Sequence, residues 1–307
     1  MQIAILDFGT NTFNLLIANT DDEKKLNIIH TSKQPVKLGK GGIDRGIIQN
    51  DAFIRGLTAI ENHLETIKNY NVEKIYAFAT SAIRDASNKN KFIKEVKDRF
   101  SIYIHIIPGE REAELIYKGV RQSMDLGPLP VLILDIGGGS NEFIIANDKK
   151  IFWKESFNLG MARLLEKFKP NDPISENEIV IIEKYLLSEL KPLFKAVQLY
   201  EPVHLVGASG SFETFIALLS NIFPEHYTQA SPFHELNLND YLYLHKKLIT
   251  STLKERSNMP GMEAVRVEMI VLASIFVNFT LQQFKFTKIY QSDYALKEGI
   301  IAEILNL

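Results

Sequence analysis

The chain has 307 residues, of which 46% are hydrophobic and 23% are charged. This is an ordinary globular composition, and it excludes a disordered, collagen-like or coiled-coil chain. The 35 basic and 37 acidic residues leave a formal net charge of −2, so a polyanionic ligand would need a local basic cluster rather than a global field. Cysteine is absent, which excludes disulfides, thiolate zinc sites and a cysteine nucleophile.

The N-terminal segment does not read as a signal peptide, because it lacks a basic leader and reaches Asp7 almost at once. The longest late apolar stretch, residues 269–277, is interrupted by Ser274 and is shorter than the ~20 residues that span a bilayer. We therefore expect a cytoplasmic protein that binds neither nucleic acid nor a membrane.

Short β-rich runs alternate with longer amphipathic runs, which predicts an α/β fold. In chain order, strands are expected at residues 3–6, 13–18, 74–79, 102–107, 131–135, 142–146, 151–156, 204–206 and 288–291. Helices are expected at residues 52–69, 89–99, 111–123, 175–191, 212–219, 240–248, 264–284 and 295–305. Ser175 followed by Glu178 indicates a capping box.

The stretch Gly127-Pro128-Leu129-Pro130 can continue neither a helix nor a strand, which makes it the predicted domain boundary. We expect a first domain over residues 1–125 and a second over residues 126–307, with a last helix that can pack back on the first domain.

Residues 5–19 can be laid on residues 133–147, which lie 128 positions further on. Each copy is an apolar strand ending in Asp-x-Gly, then a turn of small residues and a second apolar strand. The repeat predicts two related halves, each opening with a hairpin whose tip carries an aspartate, Asp7 in one and Asp135 in the other. Chance similarity between two hairpins is the alternative.

The second turn places three glycines, Gly137, Gly138 and Gly139, between Asp135 and Ser140. Glycines allow backbone N–H groups to approach an anion closely, and such a nest of donors is a cradle for phosphate. The turn is neither a Walker loop nor a Rossmann fingerprint. A carboxylate beside a phosphate cradle is favourable with a hard cation between them, which predicts Mg²⁺. A plain glycine-rich hairpin is the alternative.

Four further segments have the composition of anion-binding loops or acid–base groups. The first turn offers Gly9, Thr10 and Asn11 as phosphate donors. Arg84, after a strand and before a helix, suits phosphate oxygens, although a surface pair with Asp85 is equally open.

The second half has a counterpart loop, Gly207-Ala208-Ser209-Gly210-Ser211. Between a predicted strand and helix, residues 108–114 contain three glutamates. One of them could activate water, or all could simply complement the helix dipole.

Five motifs, taken in order, resemble the exopolyphosphatase / guanosine pentaphosphate phosphatase family of the actin-like, sugar-kinase and heat-shock-ATPase superfamily. Residues 7–12 are similar to its Asp-x-Gly-Ser-Asn-Ser and residues 79–84 to its Ala-Thr-x-Ala-x-Arg. Residues 135–140 match its Asp-Ile-Gly-Gly-Gly-Ser, residues 207–210 its Gly-x-Ser-Gly, and residues 296–299 its Leu-Arg-Glu-Gly. The resemblance implies two duplicated ribonuclease-H-like (actin-like ATPase) domains with a cleft between them, and a homodimer.

The resemblance also implies roles for particular residues. The implied catalytic residues are Glu112, Asp135 and Glu142, and the implied Mg²⁺ ligands are Asp7, Asp135 and Glu142. The implied phosphate-binding residues are Gly9, Thr10, Asn11, Arg84, Gly137, Gly138, Gly139, Ser140, Gly207, Ser209 and Arg266. Three departures matter: Glu110-Arg111-Glu112 replaces the usual triplet, which makes Glu110 a rival base, Asn141 stands where threonine is common, and Lys297 replaces an arginine.

The expected function is that of an exopolyphosphatase, the Mg²⁺-dependent hydrolysis of the terminal phosphate of inorganic polyphosphate. Alternatives are a guanosine pentaphosphate 5′-phosphohydrolase and a non-hydrolytic nucleotide- or polyphosphate-sensing actin-like protein. A small-molecule kinase of the superfamily would need adenosine and acceptor sites that the sequence does not reveal. Longer relatives carry an added helical C-terminal region that helps to grip long polyphosphate, so processivity and chain-length preference stay open.

Overall fold

The computed structural model describes residues 1–20, 25–228 and 231–307. Its strands are β1 (Ile3–Phe8), β2 (Thr12–Thr20), β3 (Leu26–Pro35), β4 (Lys74–Ala79), β5 (Ile104–Ile106), β6 (Val131–Ile136), β7 (Asn141–Ala146), β8 (Ile151–Phe157), β9 (His204–Ala208), β10 (Phe233–Glu235) and β11 (Lys288–Ser292). Its helices are α1 (Asn50–Ile67), α2 (Ser81–Arg84), α3 (Lys89–Phe100), α4 (Gly109–Ser123), α5 (Met161–Phe168), α6 (Glu176–Glu189), α7 (Lys191–Tyr200), α8 (Gly210–Ile222), α9 (Leu238–Thr250), α10 (Leu253–Ser257), α11 (Ile270–Gln283) and α12 (Leu296–Leu305).

The two sheets repeat one arrangement of strands. The first has the order β3-β2-β1-β4-β5 and the second the order β10-β11-β9-β6-β7-β8. In each, an antiparallel hairpin (β1–β2 or β6–β7) is extended by a third antiparallel strand, and its first strand pairs on the other side with a parallel strand, β4 or β9. The predicted α/β fold with two related halves is confirmed, and the sequence repeat is a structural duplication.

Helices α4 and α12 join the two halves. Ile3 of β1 and Ile133 of β6 belong to one buried apolar cluster together with Ile116 of α4 and Ile301 of α12. Each half has a further apolar cluster of its own. The first turn of α4, which carries one of the predicted catalytic residues, is therefore positioned by packing against both sheets.

Several element boundaries differ from the sequence prediction. All the predicted strands are present, and the structure adds the edge strand β3, in which half-buried and exposed residues alternate, and the short β10. The predicted helix at residues 264–284 begins only at Ile270, because turns occupy the preceding residues and Arg266 lies in them. The helix predicted at 175–191 ends at Glu189, and the separate helix α7 follows it. The capping box of Ser175 and Glu178 is confirmed.

The predicted boundary at residues 127–130 lies between α4 and β6, where the chain passes from one sheet to the other. The division into two domains at that point stays a prediction. None of the helices in the described part of the chain is both long and apolar enough to cross a membrane.

Candidate active site

Two hairpin turns, one from each half, meet tip to tip. Gly9 and Gly137 each donate their backbone N–H to the carbonyl three residues later, at 3.1 Å in both turns. A Cβ atom on Gly139 would lie 2.6 Å from the hydroxyl oxygen of Thr10, which is closer than a side chain can approach. The structure therefore brings the two predicted turns into direct contact, and only a glycine fits where they touch.

The glycine turn presents a row of backbone donors. The carbonyls of residues 137–139 accept hydrogen bonds in order from Met161 N at 3.0 Å, Ala162 N at 2.8 Å and Arg163 Nε at 2.7 Å. A planar trans peptide directs its N–H opposite to its carbonyl, so the N–H groups of residues 138–140 point away from α5. Because the same residues line a cavity between the two halves, this row of N–H groups forms the anion nest that the sequence predicts.

Among the described residues, four buried carboxyl groups line that cavity: Asp7, Glu112, Asp135 and Glu142. Asp7 and Asp135 occupy equivalent positions, but the cross-strand partner of Asp7 is Asn14 whereas that of Asp135 is Glu142. Asn14 Nδ2 donates to Asp7 Oδ2 at 2.9 Å. Within the described residues, the other carboxylate oxygen of Asp7 is buried without a hydrogen-bond partner. The hairpin of the second half thus contributes two of these carboxyl groups, whereas the hairpin of the first half contributes one.

Burial makes these carboxyl groups resist ionisation. It raises the pKa of Asp135 to about 6, although a hydrogen bond with Ser209 acts against the shift. Burial, assisted by the charge of Asp135, raises the pKa of Glu142 to about 7. Burial, followed by the charge of Glu142, raises the pKa of Glu112 well above its ordinary value. The cluster as a whole would be stabilised by a proton or a cation.

Glu112, rather than its rival Glu110, is the glutamate of α4 that faces the cavity. Glu112 is buried, and its Oε2 accepts from Arg84 Nη1 at 2.8 Å. Glu110 does not line the cavity, its side chain is 63% exposed, and it pairs with Lys154 at 3.0 Å. Arg84 also donates to the Ile107 carbonyl at 3.1 Å. The guanidinium of Arg84 therefore holds Glu112 in place. Arg84 is not among the described residues that line the cavity, where a phosphate ligand would lie.

Three basic side chains also line the cavity: Lys33, Arg266 and Lys297. Arg266 Nε is buried and has no hydrogen-bond partner among the described residues, although the carboxylate of Glu263 lies 3.8 Å from it. Lys33 of β3 pairs across the halves with Glu213, in the first turn of α8. Burial acts to raise the pKa of Glu213, but the charges of Lys33 and Lys297 outweigh it and lower that pKa. The cavity thus combines acidic and basic groups from both halves.

A comparison with protein-family models matches residues 16–307 to the Ppx/GppA phosphatase family. The chain belongs to that family. The exopolyphosphatase of Cytophaga hutchinsonii has a crystal structure similar to this chain, with a TM-score of 0.96 and 36% identity over 100% of this chain and 98% of that one. The Ppx-GppA enzyme of Aquifex aeolicus has a TM-score of 0.78 and 28% identity over 99% of both chains.

Curated relatives of the Ppx/GppA family agree with this result. Exopolyphosphatase 2 of Mycobacterium tuberculosis is 27% identical over 284 residues, which are 90% of this chain and 88% of the relative. A bifunctional 3-dehydroquinate synthase/phosphatase of Fusobacterium nucleatum is 31% identical over 296 residues. That match covers 92% of this chain, which spans only 43% of the longer protein. The predicted fold of two duplicated actin-like domains with a cleft between them is confirmed by these Ppx/GppA structures.

The side chains of this Ppx/GppA site fit a Mg²⁺ ion that takes part of its ligands from the substrate. Among the described residues, no group of three or more His, Cys, Asp or Glu side chains is placed as a complete metal site. Mg²⁺, however, is usually held by only one or two carboxylates, together with water and substrate phosphates. The unpartnered oxygen of Asp7 and the buried Asp135 beside the glycine turn are groups of that type. The residues therefore fit a cation that binds together with a phosphorylated substrate.

Most of the predicted site residues come together in the cavity. Those that line it are Asp7, Gly9, Thr10, Asn11, Glu112, Asp135, Gly137, Gly138, Gly139, Ser140, Glu142, Ser209 and Arg266. Gly207 does not, because it lies in β9, where a Cβ atom would overlap the ring of Phe212. Its absent side chain allows helix α8 to pack on the strand.

Sequence reasoning assigns no site role to several residues that line the cavity, among them Asn14, Ser81, Glu213 and Lys297. Asn14 is the counterpart of Glu142 in the repeat, so the repeat itself was an available signal. Ser81 lies in the same segment as the predicted Arg84, and Lys297 lies inside a motif that matches the family. For Glu213 the only signal is an acidic residue in the first turn of a helix, which ordinarily complements the helix dipole.

Proposed function

We propose that this chain is an exopolyphosphatase that hydrolyses the terminal phosphoanhydride bond of inorganic polyphosphate. One observation carries the proposal: the buried carboxylate of Glu112 lines the same cavity as the backbone nest of the glycine turn. A base and an anion cradle on one cavity are what hydrolysis of a phosphate ester or anhydride requires. The family and its exopolyphosphatase members support the choice of substrate.

In the proposed reaction, the N–H groups of residues 138–140 bind the oxygens of the terminal phosphoryl group. Arg266 and Lys297 bind the phosphates that follow it in the chain. Glu112 accepts a proton from a water molecule as the water oxygen bonds to the terminal phosphorus. The bridging P–O bond breaks, orthophosphate is released, and the shortened chain leaves with the electron pair of that bond. Positioning and electrostatic stabilisation supply most of the rate enhancement in such reactions.

We propose Asp7 and Asp135 as the residues that would hold Mg²⁺, with Glu142 beside them as an auxiliary carboxylate rather than a third ligand, because no three such side chains are placed as one metal site among the described residues. When bound, the cation would neutralise charge on the phosphoryl oxygens. Two hydrogen bonds orient these carboxylates: Asn14 donates to Asp7, and Ser156 Oγ donates to Glu142 Oε1 at 2.7 Å. Adding Mg²⁺ should raise the melting temperature of the wild type by more than that of Asp135→Asn. An equal rise in both proteins would contradict this assignment.

A 5′-phosphohydrolase acting on guanosine pentaphosphate is the second candidate, because its substrate carries the same terminal phosphoanhydride. The basic side chains Lys33, Arg266 and Lys297 suit the phosphates of either substrate. The two activities are separated by comparing kcat/KM for short polyphosphate, long polyphosphate and guanosine pentaphosphate under the same conditions. A non-hydrolytic sensor would bind these ligands without releasing phosphate from any of them.

The deciding experiment measures orthophosphate release by Glu112→Gln and by its matched control, Glu110→Gln. Both substitutions remove one charge from the first turn of α4, but only Glu112 lines the cavity. Loss of a general base typically costs ~10²–10⁴-fold in rate, so we expect that loss in Glu112→Gln, with polyphosphate binding retained, and nearly full activity in Glu110→Gln. The reverse pattern would make Glu110 the base, and an inactive wild type would refute the proposed hydrolase.

A homodimer and a cytoplasmic location are further parts of the proposal. The homodimer rests on the family resemblance, and the location rests on composition. Sedimentation velocity on the purified chain would test the first, and fractionation of cells that express it would test the second.

A further inference from the structure

Arg163 lies in the first turn of α5, directly behind the glycine turn. Its side chain is 16% exposed. Among the described residues that line the central cavity, Arg163 is not present, so any effect it has on a bound phosphate must pass through other residues. No motif in the sequence points to it.

One guanidinium joins three loops. Nε donates to the Gly139 carbonyl at 2.7 Å, in the second half. Nη2 donates to Asp85 Oδ2 at 2.6 Å and to Ser81 Oγ at 3.3 Å, both in the first half. Nη1 donates to the Ile43 carbonyl at 3.2 Å, in a third loop. A planar fork with fixed donor directions suits such a set of acceptors, and a lysine ammonium could not satisfy all of them.

The contact with Gly139 bears on the anion nest. The peptide that carries the Gly139 carbonyl also carries the N–H of Ser140, which points the opposite way. Holding the carbonyl therefore fixes the direction of that N–H. A charged donor also polarises the peptide, which makes its N–H a stronger hydrogen-bond donor to an anion. Arg163 thus both orients and strengthens one donor of the nest.

The contact with Asp85 bears on the proposed base. Asp85 Oδ1 accepts from Arg84 Nε at 3.3 Å, while its other oxygen accepts from Arg163. Arg84 in turn donates to Glu112. Without Arg163, Asp85 would keep only Arg84 as a basic partner and would compete more strongly with Glu112 for it. A single chain of ion pairs therefore runs from Arg163 to the carboxylate of Glu112.

We propose that Arg163 is a positioning residue for phosphoryl hydrolysis, which sets the glycine turn against the loop of Ser81, Arg84 and Asp85. This inference rests on the proposed function. The residue does not touch the substrate. It acts on the Gly139 carbonyl from one side and on Asp85 from the other, and so aligns the anion nest with the base.

The test compares Arg163→Ala and Arg163→Lys with the matched control Arg55→Ala. Arg55 holds a similar set of acceptors, the carbonyls of Val36 and Lys37 and the carboxylate of Asp51, all within the first half. Direct loss of an oxyanion donor costs ~10²–10³-fold in kcat. We expect a loss of roughly 10- to 100-fold in kcat for Arg163→Ala, with KM for polyphosphate changed less than about threefold because the other phosphate-binding groups remain.

Arg163→Lys should retain an intermediate kcat, and guanidinium ion added to Arg163→Ala should restore part of the lost kcat. Arg55→Ala should keep its kcat within about twofold of the wild type and should not respond to guanidinium. If Arg163→Ala does not fold, Arg163→Lys provides the test, and a lower kcat with a nearly unchanged KM is again the expected result. A wild-type kcat in either Arg163 variant, or an equal loss in Arg55→Ala, would overturn the proposal.

Hydrogen exchange separates this inference from the proposed function. The amides of Met161 and Ala162 donate to the glycine turn, so loss of Arg163 should speed their exchange by about tenfold or more, whereas Arg55→Ala should leave it unchanged. This readout needs no activity. If the wild type releases no phosphate, the hydrolase proposal fails while exchange still tests whether Arg163 holds the turn. Unchanged exchange in Arg163→Ala would overturn the positioning role.

Discussion

Arg84 and Glu112 form an ion pair at the edge of the cavity, with 2.8 Å between Nη1 and Oε2. Burial and the charge of Glu142 raise the pKa of the Glu112 carboxyl, and the charge and hydrogen bond of Arg84 partly offset that rise. The pair therefore helps to set the pH at which Glu112 loses its proton.

Arg84→Ala should move the acid limb of the kcat/KM profile to higher pH. Without the arginine, the pKa of Glu112 rises further, so the carboxyl stays protonated at pH values where the wild type is active. The loss should be largest at the acid end of the profile and should shrink as the pH rises. A pH profile of phosphate release measures this shift.

Arg111→Ala is the matched control for that experiment. Arg111 precedes Glu112 in the sequence, but it pairs with Glu114 and Glu303 on the other side of α4. Its removal should leave the profile in place. A rise in KM for Arg84→Ala with an unchanged profile would show instead that Arg84 binds phosphate directly.

Glu112→Gln should stabilise the fold at neutral and alkaline pH, measured in the absence of divalent cations. The pKa of Glu112 is higher in the folded chain than in the unfolded one, mainly because of burial. A carboxyl of this kind contributes stability below its unfolded pKa and loses that contribution as the pH rises through the folded pKa. The melting temperature of Glu112→Gln should therefore exceed that of the wild type at pH 8, with little difference at pH 4.5.

Glu110→Gln, with an exposed side chain, should show no such pH-dependent gain. A melting temperature of Glu112→Gln below that of the wild type at pH 8 would mean that the pair with Arg84 outweighs the cost of burial. The expected result is a trade of stability for activity, which is common at active sites.

The choice between Glu110 and Glu112 illustrates what the sequence can determine. Both lie in the first turn of one helix, but two helical positions differ by about 200° around the axis, so only one can face the cavity. The packing of α4 sets which one it is, since Ile116 and Val120, four and eight residues after Glu112, are buried. The family motif already favours Glu112 with Glu110 as its rival, and the structure shows that Glu112 is the one of the two that lines the cavity.

The repeat and the motifs could be predicted from the sequence, whereas the individual long-range contacts could not. The duplicated hairpins are local, so residues 5–19 and 133–147 suffice to predict them. The ion pair of Lys33 with Glu213 and the contacts of Arg163 join segments far apart in sequence. No periodicity marks such pairs, and the short helix α5 that carries Arg163 was itself not predicted.

Gly138→Ala should reduce phosphate release by about tenfold or more, the order of the loss of one donor. A Cβ atom on Gly138 would lie 2.8 Å from Cγ of Asn11, so the side chain of Asn11 or the turn itself must move. Because Asn11 belongs to the other half, the change separates the two turns. Steady-state kinetics on polyphosphate measures the effect.

Asn11→Ala alone measures the cost of losing that cavity-lining amide, and the double variant Asn11→Ala with Gly138→Ala should lose less than the two single losses combined, since the clash is removed. Gly127→Ala is the control, because no atom lies within 4 Å of its Cβ position and its φ of +72° limits the cost to backbone strain. If Gly138→Ala were fully active, the contact between the turns would not matter for hydrolysis.

Gly299→Ala should destabilise the chain and also lower its activity. Its Cβ atom would overlap the carbonyl group of Leu115, and Gly119 in α4 makes the reciprocal close approach to Ala295. Both obstacles are backbone atoms, so helices α4 and α12 must separate as rigid bodies. Overpacking of this kind costs about 1–3 kcal/mol of unfolding free energy, and occasionally more.

Glu303→Ala is the matched control on α12. It removes the pairs with Arg111 and Lys118, which are partly exposed to solvent and so worth roughly 0–1 kcal/mol. Because α4 carries Glu112, displacement of that helix in Gly299→Ala should also reduce kcat while the protein is still folded, whereas Glu303→Ala should not. Urea unfolding and phosphate release measured on both variants test this coupling. Equal unfolding free energies for Gly299→Ala and Glu303→Ala would show that α12 does not determine the position of α4.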